Sequence, residues 1–339
     1  MFGPFSAGDS LRVARLQRKG VSLDLQQDLT QPSSPLWEAW LAFLTQQAMG
    51  QPTYVLDELQ DGEGFLQVHY RPHQAAADVA FLAPSLGHSA KAAGAWSSLL
   101  EGASVQAAGR GIQRVFANLP ESSAEVEAFC QAGFTPYAGE DIFRLDQASP
   151  GEPEESQAKV RVQRPEDWPA VQKLCVAVTP QRVRQMEGGI AVATGRARMG
   201  RRYVLPGQNG SDLAAALDVV RGIQAHWLRM VLHPDARQQA ETLVRQGLGV
   251  LGDPAGKPVY CNVRQYESGV RAALTAAGFE PFATRTLMVK HTVAWSKAPL
   301  QELVPALKGG AEPVPPAYSI NGEPEYQTSN GRLAAEREA

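Results

Sequence analysis

Apolar residues in this chain come in short runs separated by polar turns, and one such arrangement occurs twice. Val115-Phe116-Ala117-Asn118-Leu119 is followed by Val126, Phe129 and Cys130 at helical spacing, then by Ala132-Gly133-Phe134-Thr135-Pro136-Tyr137-Ala138. Val259-Tyr260-Cys261-Asn262-Val263 leads in the same way to Ala277-Gly278-Phe279-Glu280-Pro281-Phe282-Ala283. Asn262 lies 144 residues after Asn118 and Gly278 lies 145 after Gly133, so the copies differ by one insertion. Each copy reads as an apolar strand buried on both faces, an amphipathic helix and a second strand. The glycine stands where a left-handed residue ends a helix, and the phenylalanine after it covers that end. The interval is far longer than the roughly 20–50 residues of a solenoid unit, so the repeat marks a duplicated domain.

Alternation over 11–17 predicts an opening strand. A helix with a wide apolar face follows over 36–44, capped by Ser33 or Ser34 with Pro35 in its first turn. Strands over 53–56, 64–70 and 78–82 form a meander, with Asp61-Gly62-Glu63-Gly64 as the first turn and Pro72 ending the middle strand. An alanine-rich helix over 89–108 carries Trp96, Leu99 and Leu100. The first copy of the repeat closes this half, and 141–145 adds a last strand. Residues 146–158, rich in Pro, Gly and Glu, read as a linker. The order then restarts: a strand over 160–163, helices over 165–178 and 180–186, strands over 203–205, 213–220 and 227–232, a helix over 236–246, and the second copy. From about 298 onward the sequence reads as a solvated tail, with 300–307 able to form one docking helix.

Composition narrows the class. A chain of 339 residues suits two cores, and 44% hydrophobic with 20% charged residues describes a soluble globular protein. A net charge of -3 argues against a nucleic-acid partner. No apolar run approaches the ~18 residues a membrane helix needs, and residues 1–10 lack the basic and apolar blocks of a signal peptide. Cys130, Cys175 and Cys261 lie in apolar surroundings and read as reduced core residues of a cytoplasmic protein. His69 and His73 straddle Pro72, so they share no helical face and no metal site is expected.

The element order, with Gly-Phe after the last helix and an asparagine upstream, resembles the GNAT acyltransferase domain in tandem, over about 11–145 and 160–293. The resemblance implies an α/β (α+β) fold of two GNAT-like domains, each a mixed, mostly antiparallel, splayed sheet flanked by helices. They would span 1–145 and 159–297, joined by 146–158 and followed by a largely disordered tail over 298–339. In that family the fourth strand and the following helix hold the acyl-CoA: the strand edge takes the pantetheine arm, and a glycine-rich turn offers amide N–H groups to the pyrophosphate. The resemblance therefore places cofactor contacts at Phe81, Leu82, Lys91, Gly94 and Ala95 in the first half, where Trp96 stands in place of a small residue. In the second half it places them at Val231, Leu232, Arg237 and Ala240, with Thr242 replacing the second small residue of the turn. Asn118 and Asn262 either orient cofactor or substrate, or pin the strand-to-helix turn. The tyrosine that many family members place four residues before the Gly is Phe129 or Leu274 here. That leaves Tyr137 and Tyr266 as candidate acids and Glu58, beside Asp57, as a candidate base. The Arg196-Ala197-Arg198-Met199-Gly200-Arg201-Arg202 clump reads as an exposed loop or an attractor of anions.

The implied activity is transfer of an acyl group from acetyl-CoA or a related acyl-CoA to a primary amine of a small molecule or peptide. At most one half would be competent, with no metal, nucleic acid or membrane involved, and the protein would be a monomer or homodimer. The alternative is an inactive pseudo-acetyltransferase serving as a ligand- or protein-binding module. A third reading, resemblance to the tandem aminoacyl-transferases of peptidoglycan bridge synthesis, predicts a basic tRNA-binding surface that the net charge does not favour.

Overall fold

The computed structural model describes residues 2–59, 62–72, 74–121, 123–146, 159–188, 200–207, 212–252 and 256–292. The expected linker beyond Asp146, the tail with its docking helix, and Asp61, His73, Arg196 and Arg198 lie outside these residues. The first half contains β1 (Phe2–Pro4), α1 (Ser10–Leu16), β2 (Val21–Ser22), α2 (Leu25–Thr30), α3 (Pro35–Leu44), β3 (Thr53–Leu59), β4 (Gly62–Tyr70), β5 (Ala76–Ala83), α4 (Ala92–Gly109), β6 (Arg114–Pro120), α5 (Ala124–Gln131) and β7 (Thr135–Leu145). The second contains β8 (Arg161–Val162), α6 (Trp168–Val178), α7 (Gln181–Glu187), β9 (Arg201–Pro206), β10 (Leu213–Arg221), β11 (His226–Leu232), α8 (Ala240–Leu251), β12 (Val259–Arg264), α9 (Ser268–Ala276) and β13 (Glu280–His291).

The repeat forms as its pattern predicts. Gly133 and Gly278 both have φ of 86°, the left-handed conformation that ends α5 and α9. Phe134 and Phe279 follow, buried, and their N–H groups donate to the carbonyls of Phe129 and Leu274. Ser34 and Pro35 open α3 as expected. Four expectations are corrected. Residues 11–16 belong to α1 and Gln17 opens the 3-10 turn after it, because Val13 and Leu16 are buried at helical spacing while Leu11 points to solvent. Gly62, Glu63 and Gly64, expected in a turn over 61–64, belong to β4 instead. The strand expected at 141–145 is part of β7, whose two edges pair with β13 and β12. The helix expected over 236–246 is a 3-10 segment, Pro234–Gln239, kinked at Ala236, leading into α8.

One sheet runs β1-β3-β4-β5-β6-β13-β7-β12-β11-β10-β9-β8. Its pairings are antiparallel except β5–β6 and β11–β12. The last strands are exchanged: β13 lies between β6 and β7, while β7 lies against β12, so each half's final strand completes the other's sheet. Met288 of β13 therefore packs in the core under α4 and α5, and Phe143 of β7 in the core under α8 and α9. The opposite face is covered by α1 and α3 in the first half, α6 in the second, and α2 at the centre.

Candidate functional site

Each half has one parallel strand pair, and both pairs part midway. β5 and β6 pair from Ala76↔Arg114 to Asp78↔Phe116 and then separate. β11 and β12 pair from His226↔Val259 to Arg229↔Asn262 and then separate. The two resulting gaps differ. In the first, β2 pairs antiparallel with β5, Val21 opposite Leu82 and Ser22 opposite Phe81, on the edge away from β4. Leu23 N–H donates to the Ala80 carbonyl (2.8 Å) and Ser85 N–H to the Lys19 carbonyl (2.6 Å). Gly20 is pressed so closely here that an added Cβ would lie 2.3 Å from the Phe81 ring. In the second gap, among the described residues, no strand covers the β12-facing edge of β11 beyond Arg229.

The repeated asparagines meet at the exchanged strands. Asn262 Nδ2 donates to Glu140 (2.8 Å) and Asn118 Nδ2 reaches its other oxygen (3.3 Å). Arg285, opposite Glu140 in the β7–β13 register, donates to the Asn118 side chain (2.9 Å). Glu140 is buried, and Arg264 (3.2 Å) and Arg229 (3.7 Å) flank it. Burial alone would raise its pKa. The two guanidinium groups and the two amides outweigh burial and hold the carboxyl below the ordinary range.

Beside this cluster lies a chamber of about 570 Å³ on the α6 face of the second half. Trp227, Arg229 and Val231 line it from β11, Asn262 and Arg264 from β12. Tyr266 and Glu267, in the turn from β12 to α9, complete the wall nearest the gap. Glu267 accepts from the Arg264 N–H (3.1 Å) and lies 3.4 Å from Arg229. Burial pushes its carboxyl pKa up, against the pull of Arg229, and burial likewise raises that of the Tyr266 phenol. Asp218 on β10 is also raised by burial, although Arg202 sits 2.8 Å away. A buried carboxyl whose pKa is raised is a better proton acceptor than an exposed one, and a neutral phenol can give a proton up. In the first copy of the repeat, the positions 144 residues before Arg264, Tyr266 and Glu267 are Pro120, Ser122 and Ser123. The ionisable set belongs to the second copy alone.

Of the residues singled out from sequence, Tyr266 and Val231 line the chamber together. Leu232 is buried at the end of β11. Arg237 lies in the 3-10 turn before α8, its aliphatic stem against Gly269, and Ala240 is buried as the first residue of α8. Phe81 and Leu82 lie on β5, paired edge to edge with β2. Lys91 precedes α4 and lines a separate cavity of about 420 Å³ with Arg15, Lys19 and His88. Gly94 and Ala95 lie in the first turn of α4. Trp96 is packed, its indole N–H donating to the Pro84 carbonyl (2.6 Å). Tyr137 faces the central cleft, its hydroxyl donates a hydrogen bond to Glu187 (3.1 Å), and burial raises its pKa. Glu58 is the penultimate residue of β3, and its side chain lies outside the described residues. Phe129 and Leu274 are core residues. Cys175 and Cys261 are buried, but Cys130, expected in the core, is exposed. Glu267 was not among the candidates. The signal was the divergence of the two copies just after the shared asparagine.

Two tandem halves with splayed sheets define the GNAT fold, and solved structures agree. Similar folds include a GCN5-related N-acetyltransferase from Sphaerobacter thermophilus (15% identity, TM-score 0.52, 86% of this chain and 95% of that one). A tandem GNAT protein from the clavulanic acid biosynthesis pathway is similar to the same degree (16% identity, TM-score 0.52, 86% and 98%). No family model matches the chain, and no curated protein matches it by sequence. Among the described residues no helix is long and apolar enough to cross a membrane.

Proposed function

We propose that this protein is an acyl-CoA-dependent N-acyltransferase whose second half is the competent one, moving an acetyl or related acyl group to a primary amine of a small molecule or peptide. The observation that carries this reading is the β11 edge, uncovered among the described residues, opening beside a chamber lined by Tyr266 and Glu267. The residues present fit such a cosubstrate. The backbone of Met230–Leu232 offers an amide-bearing arm a strand edge that no strand pairs among the described residues. Gly269 keeps the mouth of the gap narrow, since a Cβ there would lie 3.3 Å from Arg237 and 3.8 Å from Leu232. Arg237, in the 3-10 turn before α8, supplies positive charge for phosphates.

A bound acyl-CoA supplies the activated carbonyl carbon. Glu267 accepts the proton that the acceptor ammonium must lose before its nitrogen can attack. Arg229 and the Arg264 amide hold that carboxylate in place. Tyr266, kept protonated by its raised pKa, donates to the departing sulfur. The low-dielectric wall strengthens each of these interactions. The inactive alternative draws support from Phe129 and Leu274, which occupy the usual acid position with apolar core side chains.

Calorimetric titration with acetyl-CoA tests the reading. Binding is expected in wild type, and Arg237→Glu should weaken it at least about tenfold, the cost of placing like charge beside phosphates. No heat and no thermal shift in the wild type would refute it.

A further inference from the structure

The strap from Lys19 to Gln31 links the two halves in a way the duplicated fold does not require. In the first half, residues 19–23 run along the edge of β5 where the sheet opens, and they fill it with peptide hydrogen bonds. Those bonds come from Leu23 to Ala80 and from Ser85 to Lys19, with Val21 and Ser22 in register against Leu82 and Phe81. Leu23 is buried in the first core, and Gly20 allows backbone to touch the Phe81 ring. Beyond Leu23, the Asp24 side chain caps α2 by accepting from Gln27 N–H (3.2 Å). Leu25 and Leu29 of α2 pack against the second half around Trp227 and Tyr260. The Thr30 carbonyl then accepts from Ile223 (2.8 Å) and Gln224 (3.2 Å) in the β10–β11 turn. On the way, Gln26 enters the wall of the second half's chamber, where Arg71, the residue after β4, also lies.

Resting on the reading of the second half as the acyl-CoA lobe, we propose that the first half is a converted lobe. Residues 19–23 stand permanently in its cofactor groove as a peptide surrogate for the pantetheine arm, and the half serves instead to wall the acceptor chamber through Gln26 and Arg71. A free thioester must compete with a segment docked at both ends, which acts at the high effective concentration of an intramolecular ligand. The same edge in the second half has no such occupant among the described residues.

Hydrogen exchange and equilibrium binding on the full chain with acetyl-CoA test this. One equivalent per chain is expected, with new protection over 230–237 and 264–270 and no change over 19–23 or 79–85. Gly20→Val cannot place its side chain beside Phe81. It should speed exchange of the Leu23 and Ser85 amides at least tenfold and admit a second equivalent. Two equivalents on wild type, protection gained over 79–85, or loss of protection over 19–23 when acetyl-CoA binds would each overturn the proposal. So would a Gly20→Val protein with its strap released that still takes one equivalent. If that variant fails to fold, the wild-type footprint decides. Binding at the first half refutes this inference alone, whereas no binding anywhere refutes the acyltransferase reading and this inference with it.

Discussion

Glu140→Gln should lower the unfolding free energy by about 3–5 kcal/mol, the usual cost of removing one partner from a buried ion pair. The reason is the company Glu140 keeps. It is the shared counter-ion of Arg264 and Arg229, and it accepts from the repeated asparagines of both halves. Glutamine keeps the shape and one acceptor but leaves two buried guanidinium groups short of negative charge. Arg229 Nη1 and Arg264 Nη1 already have no hydrogen-bond acceptor among the described residues. The pH dependence gives a second readout. The folded carboxyl titrates below its ordinary value, so its stabilisation is complete above the unfolded pKa and is lost as pH falls through the folded one. Denaturant melts from neutral pH downward should show that loss in wild type and not in the variant. A change under about 1 kcal/mol at neutral pH would mean the arginines find other partners.

The sequence shows this centre only in part, for reasons that can be read from its residues. Short-range signals translate well: Gly133 and Gly278 predict left-handed helix ends because few other residues take a positive φ at low cost. The strand exchange does not show, because 135–145 and 280–291 carry the same pattern, and nothing local decides which sheet either strand joins. Glu140 and Arg285 occupy equivalent places in the two copies, 145 residues apart, and their opposite charges make sense only once β7 and β13 lie side by side. β2 escapes notice because two residues are too few for an alternating pattern. Its role depends on Gly20 and on hydrogen bonds that sequence does not display. The opening strand expected over 11–17 fails for a simpler reason, since Leu11 and Val13 alternate by chance while Val13 and Leu16 carry the buried helical spacing. The catalytic candidates divide on the same line. Tyr266 is visible as a tyrosine near the repeat, but Glu267 gains its standing only from burial against Arg229 in a chamber formed by distant strands.

Glu267→Gln should reduce kcat by about 10²–10⁴-fold for any primary amine the wild type acetylates, the range expected for loss of a positioned proton acceptor. Release of free thiol from acetyl-CoA would measure it. Acetyl-CoA affinity should be unchanged, because the substitution touches the acceptor side of the gap and leaves Arg237 and the β11 edge intact. The pH profile separates this role from a structural one. A base works only when unprotonated, so activity should rise with pH through the Glu267 pKa. Burial lifts that limb above the ordinary carboxylate range. The glutamine variant should lose the limb together with the rate. Tyr266→Phe should leave the acid limb in place and lower kcat by its own factor, because in the proposed mechanism the phenol acts later, on the leaving sulfur. If Glu267→Gln keeps both the limb and the rate, the carboxylate is only a tether for Arg229, and the proton acceptor must be sought at Asp218, the other raised carboxyl in the chamber wall.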